Sequence, residues 1–504
     1  MNIKRAKEEI INTVKAYLAT DEYGNYRIPY LRQRPLLLIG PPGIGKTQIM
    51  EQVAGECRVA LVAYTITHHT RQSAVGLPFI RKKEYDGKEY SVTEYTMSEI
   101  IASVYDKIEL TGLKEGILFI DEINCVSETL APTMLQFLQY KSFGNRRIPK
   151  GWIIITAGNP PEYNRSVRDF DTVTLDRVRK ITLEPDLKVW KEYAYKQGIH
   201  GAVISYLDIR KENFYRVETT PDGTFFATAR GWEDLSEMLI TCEELSLPVT
   251  EELVLQYIQY NSIARDFANY YELYNKYKEV YSIEEILKGN ITQKAILKIG
   301  RAPFDEKLNV IGLLLSRLND RFKDVYLTDL YTDRLFSCLK EWKQQIFETG
   351  AGLPEELLKS MIKDLEEKQQ IKIESGQSDK AEITVSGQLR DRLGRFAKEL
   401  RDQNRKEPAQ GFELVKQGFE QDALRRKETA SAASKALEYV FAFMETAFGE
   451  SQEMVIFVTE LTVNYYSSRF IGEYGSEPYM KYNRSLLFEE RHKDILKEID
   501  QLNL

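Results

Sequence analysis

The chain has 504 residues, 43% of them hydrophobic and 29% charged, and a formal net charge of −7. This length and apolar content allow roughly two to four domains with real cores, and the acidic balance gives no bulk attraction to polyanions, so a nucleic-acid partner is not expected. Its four cysteines, Cys57, Cys125, Cys242 and Cys338, are far apart and lack metal-ligand spacing, so they are expected to be reduced packing residues of a cytoplasmic protein.

From the N-terminus, Met1 to Leu18 reads as a charged amphipathic helix without the pattern of a targeting signal. Leu36 to Ile39 is an apolar run that predicts a strand, and Gln48 to Ala54 a helix start. Between them lies Gly40-Pro41-Pro42-Gly43-Ile44-Gly45-Lys46-Thr47. A glycine loop in that strand-to-helix setting predicts a nucleoside triphosphate site. Gly43 and Gly45 allow successive N–H groups to point at phosphate oxygens, and the dipole of the helix beginning near Gln48 adds to the same spot. Lys46, expected on an exposed surface, would reach the β- and γ-phosphates, and the Thr47 hydroxyl would bind Mg²⁺.

His68 and His69 follow the apolar run Val59 to Tyr64 and read as loop residues rather than a shared metal site. Phe79 to Tyr85 and Lys88 to Tyr95, joined by Asp86-Gly87, predict a hairpin. Neither strand alternates apolar and polar residues cleanly, so the hairpin should be exposed and suited to touching a substrate.

Gly116 to Ile120 reads as a strand buried on both faces and ends in Asp121-Glu122. Asp121 would hold Mg²⁺, and Glu122 would polarise the attacking water. Trp152 to Ala157 is a second such strand, stopped by Gly158-Asn159-Pro160-Pro161. Asn159 therefore sits at the sheet edge, within reach of the γ-phosphate or the water. Arg177, before a strand at Lys180 to Leu183, is a candidate finger into a neighbouring subunit's nucleotide. Arg230 opens a helix, where the macrodipole disfavours a cation and a nearby phosphate would favour one.

Beyond Pro248 the pattern is almost wholly helical. Glu251 to Tyr281 carries apolar and aromatic residues at helical spacing, and its tyrosine stripe reads as a packed face. Residues 371–388 are rich in Ser, Gly, Gln and charge and read as a linker or surface excursion. Leu389 to Glu407 is a helix of mixed charge, expected to be solvated, and Ala430 to Phe448 and Glu453 to Phe470 are further helices. The apolar stretch Met454 to Tyr465 is too short to span a bilayer, so no membrane insertion is expected.

Across residues 31–260 the chain resembles an AAA+ ATPase of the MoxR-like family, in the branch with an insertion in helix 2. The resemblance rests on Gly40 to Thr47, Ile120-Asp121-Glu122-Ile123-Asn124, Ala157-Gly158-Asn159-Pro160, Leu175-Asp176-Arg177 and Thr228-Ala229-Arg230. It implies an α/β core with a parallel five-stranded sheet in the order 5-1-4-3-2, a helical lid, and a hexameric ring holding ATP and Mg²⁺ between subunits. Asn159 would then be sensor 1, Arg177 the arginine finger and Arg230 sensor 2. The family often acts as chaperones or remodellers, many beside a protein with a von Willebrand factor A domain. Phe170 to Asp176 departs from the family pattern, and Val178 stands where Phe is usual, so Arg179, Arg168 and Arg165 remain alternatives for the finger.

The expected layout is an N-terminal helix over 1–30, the ATPase core over 31–185 with its hairpin near 78–95, and a lid over 186–262. Helical regions over 263–370 and 389–504 flank the 371–388 segment. Two other functions fit the motifs: a nucleic-acid-linked motor, and a nucleotide-gated scaffold with little turnover.

Overall fold

The computed structural model describes residues 1–67, 74–143, 146–163, 170, 172–221, 223–349, 353–374 and 380–484. They fall into two compact units, residues 1–189 with 365–383, and residues 190–364 with 384–504. His68, His69, Arg165 and Arg168 lie outside the described residues.

The strands of the first unit, in chain order, are β1 (Leu36–Ile39), β2 (Ala60–Thr65), β3 (Pro78–Tyr85), β4 (Lys88–Tyr95), β5 (Gly116–Asp121), β6 (Ser142–Phe143), β7 (Arg146–Arg147), β8 (Trp152–Gly158) and β9 (Arg179–Thr182). Five of them form one sheet in the order β2-β5-β8-β1-β9, with every pairing parallel. Counted along the core alone, this is the expected 5-1-4-3-2 order read from the other edge.

Alternate residues of a strand point to opposite faces, and here each face meets its own core. Leu36, Leu38, Ile117, Phe119, Ile153 and Ile155 pack with the helices Ile3–Leu18 and Lys46–Cys57. Leu37, Leu118, Ile120 and Ile154 pack with the helices Glu99–Thr111 and Ala131–Tyr140. Burial on both faces is why these strands read as unbroken apolar runs. Each such buried side chain contributes about 1.5–3 kcal/mol. The N-terminal helix does not stand apart from the core: Ala6, Ile10, Val14 and Tyr17 are buried in the first of these clusters.

β3 and β4 form the expected antiparallel hairpin. Asp86 and Gly87, at φ 51° and 73°, turn it in the sense that matches strand twist. Phe79, Ile80, Tyr85, Tyr90 and Tyr95 are exposed on it, so neither face belongs to a core.

Among the described residues, the second unit is helical apart from the hairpin of β10 (Arg216–Thr220) and β11 (Gly223–Ala227). Tyr206, Trp232 and Phe267 join the helices Gly201–Ile209, Ala229–Leu245 and Asn261–Val280, with ring centroids 5.2 to 5.6 Å apart. The Tyr206 hydroxyl donates to Asp266 at 2.9 Å, and the Trp232 indole donates to the Asn213 carbonyl at 3.2 Å, so both rings are buried with their polar ends satisfied. The predicted Glu251 to Tyr281 helix is two helices, Glu251–Tyr257 and Asn261–Val280. Of its stripe, Phe267 and Tyr274 are buried together with Tyr271, whereas Leu253, Tyr257 and Tyr260 are half-buried.

Two helices of 41 residues, Phe304–Gln344 and Pro408–Phe448, pack along each other. Helix Gln452–Val463 is tied to the start of the unit by charge. Lys191 lies 2.6 Å from Asp208 and 2.7 Å from Glu460, and the Tyr195 hydroxyl donates to Glu460 at 2.7 Å. Burial pushes the Asp208 carboxyl up to about 6, with Lys191 opposing.

The 371–388 segment, expected to be a linker or a surface excursion, is helical in its described residues. Residues up to Glu374 continue the helix Pro354–Glu374, and Lys380 opens the helix Lys380–Asp402. That charged helix is not simply solvated either. Val385, Leu389, Leu393, Phe396 and Leu400 recur at helical spacing and are buried, and Arg392 pairs with Asp422 at 2.9 Å.

Candidate nucleotide-binding site

The phosphate loop leaves β1, which lies between β8 and β9, and Gly43 and Gly45 take φ 73° and 89°, which a side chain would strain. Helix Lys46–Cys57 starts at Gly45 with no side-chain cap. Its first N–H groups and positive dipole end therefore face the loop, the arrangement that suits an anion.

Lys46 departs from expectation because it is only 8% exposed. Its Nζ donates to the carbonyls of Gly40 and Pro41 at 2.8 and 2.9 Å, and to Asn159 Oδ1 at 2.8 Å. A buried ammonium needs such partners, and the loop supplies them by curling its own carbonyls around the side chain. Lys46 is thus part of the loop's internal structure as well as a candidate phosphate contact.

Asp121 ends β5, and its Oδ2 accepts from the Thr47 hydroxyl at 3.1 Å. The other oxygen, Oδ1, accepts from the Glu122 N–H at 2.9 Å. Glu122 sits at φ 57°, a left-handed conformation unusual for a glutamate, and a short 3-10 turn, Ile123–Cys125, follows it. Backbone held in a sparsely populated region occurs often at functional sites. Hydroxyl and carboxylate oxygens on adjoining elements are the hard donors that Mg²⁺ prefers, and that ion commonly takes only one or two protein ligands beside substrate phosphates. The residues present therefore fit a nucleotide with its magnesium.

Asn159 follows β8, whose last residue Gly158 pairs with Ile39 of β1. Lys46, Thr47, Asp121, Glu122 and Asn159 come from the carboxyl ends of three adjacent parallel strands, β5, β8 and β1, and the segments that follow them. Ligands bind at that edge of an open α/β sheet. The Cys125 thiol, just beyond, is pushed up by burial and then by Glu122 and Asp121, so it is a poor nucleophile.

Asn124 has a place in the site that its letter alone did not reveal. It is 5% exposed, and its Nδ2 donates to the Asn159 carbonyl at 2.7 Å. In the sequence it stood only as the last residue of Ile120-Asp121-Glu122-Ile123-Asn124, with no role of its own.

Of the arginines, Arg177 is exposed after the short helix Thr172–Leu175. Arg179 is the first residue of β9, and its guanidinium donates to Thr13 Oγ1 at 2.8 Å within the same subunit. Arg230 is exposed in the first turn of helix Ala229–Leu245, whose N-cap Thr228 accepts from Gly231 N–H. It belongs to the second compact unit.

Residues 35–178 match the family model of the AAA domain, dynein-related subfamily. The core is a P-loop AAA+ fold. No curated protein matches the chain. Among solved structures, a mutant RuvB of Thermotoga maritima is 16% identical, covering 50% of this chain and 69% of its own, with a TM-score of 0.29. A likeness of that size does not bear on function. Among the described residues, no helix is long and apolar enough to cross a membrane.

Proposed function

We propose that the chain is a Mg²⁺-dependent, MoxR-like ATPase that works as a cytoplasmic hexameric ring and remodels a protein partner. The observation that carries this reading is the convergence of Lys46, Thr47, Asp121 and Asn159 at one sheet edge, with Thr47 and Asp121 3.1 Å apart. Lys46 would exchange loop carbonyls for phosphate oxygens. Thr47 and Asp121 would hold the magnesium, which when bound neutralises charge on the β- and γ-phosphate oxygens.

Glu122 would take a proton from water as the water oxygen bonds to the γ-phosphorus and the bond to the β–γ bridging oxygen breaks. Asn159 orients the water or the γ-phosphate. Arg177 from a neighbouring subunit stabilises the charge developing there, and Arg230 senses the nucleotide from the lid. The internal bond of Arg179 to Thr13 favours Arg177 over Arg179 as the finger.

The exposed aromatic hairpin β3–β4 and the second unit are the surfaces we assign to the protein partner, and a von Willebrand factor A domain protein is the partner class we expect. Phosphate release by the purified chain with ATP and Mg²⁺ tests the reading. Steady turnover that DNA and RNA leave unchanged supports it. Binding without turnover would make the chain a nucleotide-gated scaffold, and strong stimulation by nucleic acid would make it a nucleic-acid motor.

A further inference from the structure

We infer that Asn124 is a positioning residue that locks the turn carrying Glu122 to the turn carrying Asn159, so that base and sensor hold one geometry. The inference rests on the ATPase reading above. The ladder between β5 and β8 stops at Ile120 opposite Thr156. Glu122 and Asn159 both lie beyond that last pair, and ladder hydrogen bonds do not fix them relative to each other. The Asn124 side chain spans the gap, donating Nδ2 to the Asn159 carbonyl at 2.7 Å. Asn159 in turn accepts from Lys46 at 2.8 Å, so the link continues into the phosphate loop. On the other side, Cys125 N–H donates to the Glu122 carbonyl at 2.8 Å, which ties Asn124 into the turn that sets Glu122.

Two further observations show that the amide is held in this place at a cost. Among the described residues, Asn124 Oδ1 is buried with no hydrogen-bond partner, and an unsatisfied buried acceptor in a native structure calls for a reason. The neighbouring strand residue is Gly158, where a Cβ would lie 2.3 Å from that oxygen. The close approach of β8 therefore needs a glycine opposite the amide. A packing role alone would be served by an apolar residue of similar size.

The test is steady-state hydrolysis and ATP affinity of the full chain carrying Asn124→Ala, Asn124→Asp or Gly158→Ala. Asn124→Ala should lower kcat at least tenfold, with the Kd for ATP within about threefold of wild type, because the donor acts on geometry and not on phosphate binding. Asn124→Asp keeps the shape but donates only when its carboxyl is protonated, so its kcat should fall as pH rises through the carboxyl's titration, relative to wild type. Gly158→Ala should reproduce the kcat defect by displacing the amide without altering it, which covers the case in which Asn124→Ala fails to fold. Wild-type kcat in folded Asn124→Ala or Gly158→Ala, or an Asn124→Asp profile that tracks wild type, would overturn the inference while leaving the ATPase reading in place. Absence of turnover in the wild-type chain would overturn both.

Discussion

Lys46→Ala should weaken ATP binding and also loosen the loop. In the structure, Lys46 Nζ makes three hydrogen bonds at 2.8 to 2.9 Å, two to loop carbonyls and one to Asn159. Truncation leaves those acceptors without their donor, and a buried acceptor left unsatisfied costs about 1–3 kcal/mol. Water can reach Asn159, which is half-buried, so the penalty falls mainly on the Gly40 and Pro41 carbonyls. A stability loss of about 1–3 kcal/mol follows, and each kcal/mol lowers Tm by roughly 2–4 °C in a domain of this size. The lost charge-assisted phosphate contact is worth about 1.5–3 kcal/mol, which weakens Kd by about 10- to 150-fold. Isothermal titration with ATP, with a thermal melt of the same sample, measures both effects. Wild-type affinity in a folded variant would refute the placement of the site. Weakened affinity with an unchanged melt would refute the structural role of the buried lysine.

Arg177→Ala should bind ATP and hydrolyse it poorly, with the defect in the neighbouring subunit's site. Mixed rings of Arg177→Ala and Glu122→Gln subunits should recover activity where an intact glutamate meets an intact arginine; no recovery in confirmed mixed rings would exclude Arg177 as a trans finger. Lys141 is 1% exposed and burial pushes its ammonium down from 10.5 to about 7. Below about pH 7 folded and unfolded states are both protonated; between there and 10.5 the unfolded chain holds the extra proton, so stability from this group rises with pH. At pH 7.5 the cost of burying this group is at most about 4 kcal/mol, and the Tyr30 ring 4.2 Å away attracts only the fraction still protonated. Lys141→Met should therefore stabilise the fold by about 2–3 kcal/mol at pH 7.5 and by less at pH 10. Denaturant melts at the two pH values check this, and an equal gain at both would rule out the buried charge as the cause.

The parts of the fold that were legible in the sequence are those whose burial is uniform. β5 and β8 are covered on both faces, so Ile117 to Ile120 and Ile153 to Ala157 appear as apolar runs, and Asp121 and Asn159 mark where they end. The strand order was not read from the strands themselves but from the resemblance, since pairing partners far apart in the chain leave no local trace. Lys46 looked exposed because its letter is charged, whereas its burial depends on carbonyls that only the folded loop brings round. Asn124 belonged to a motif of the resemblance, but its role was not legible: an asparagine after an acidic pair serves many turns, and its target lies across two strand ends. Polar composition at 371–388 suggested a linker or surface excursion, yet Lys380 to Asp402 is helical, with apolar residues recurring at a spacing that the charges around them hide.

The central claim is that the carboxyl ends of β1, β5 and β8 form an ATP hydrolysis site in which Glu122 activates water. Parallel measurement of ATP affinity and phosphate release by Glu122→Gln tests it most directly. The amide keeps the shape of the side chain and cannot accept the water's proton, so ATP should bind as in wild type while hydrolysis falls by roughly 100-fold or more. Turnover near wild type, with binding intact, would contradict the account and move the catalytic base elsewhere.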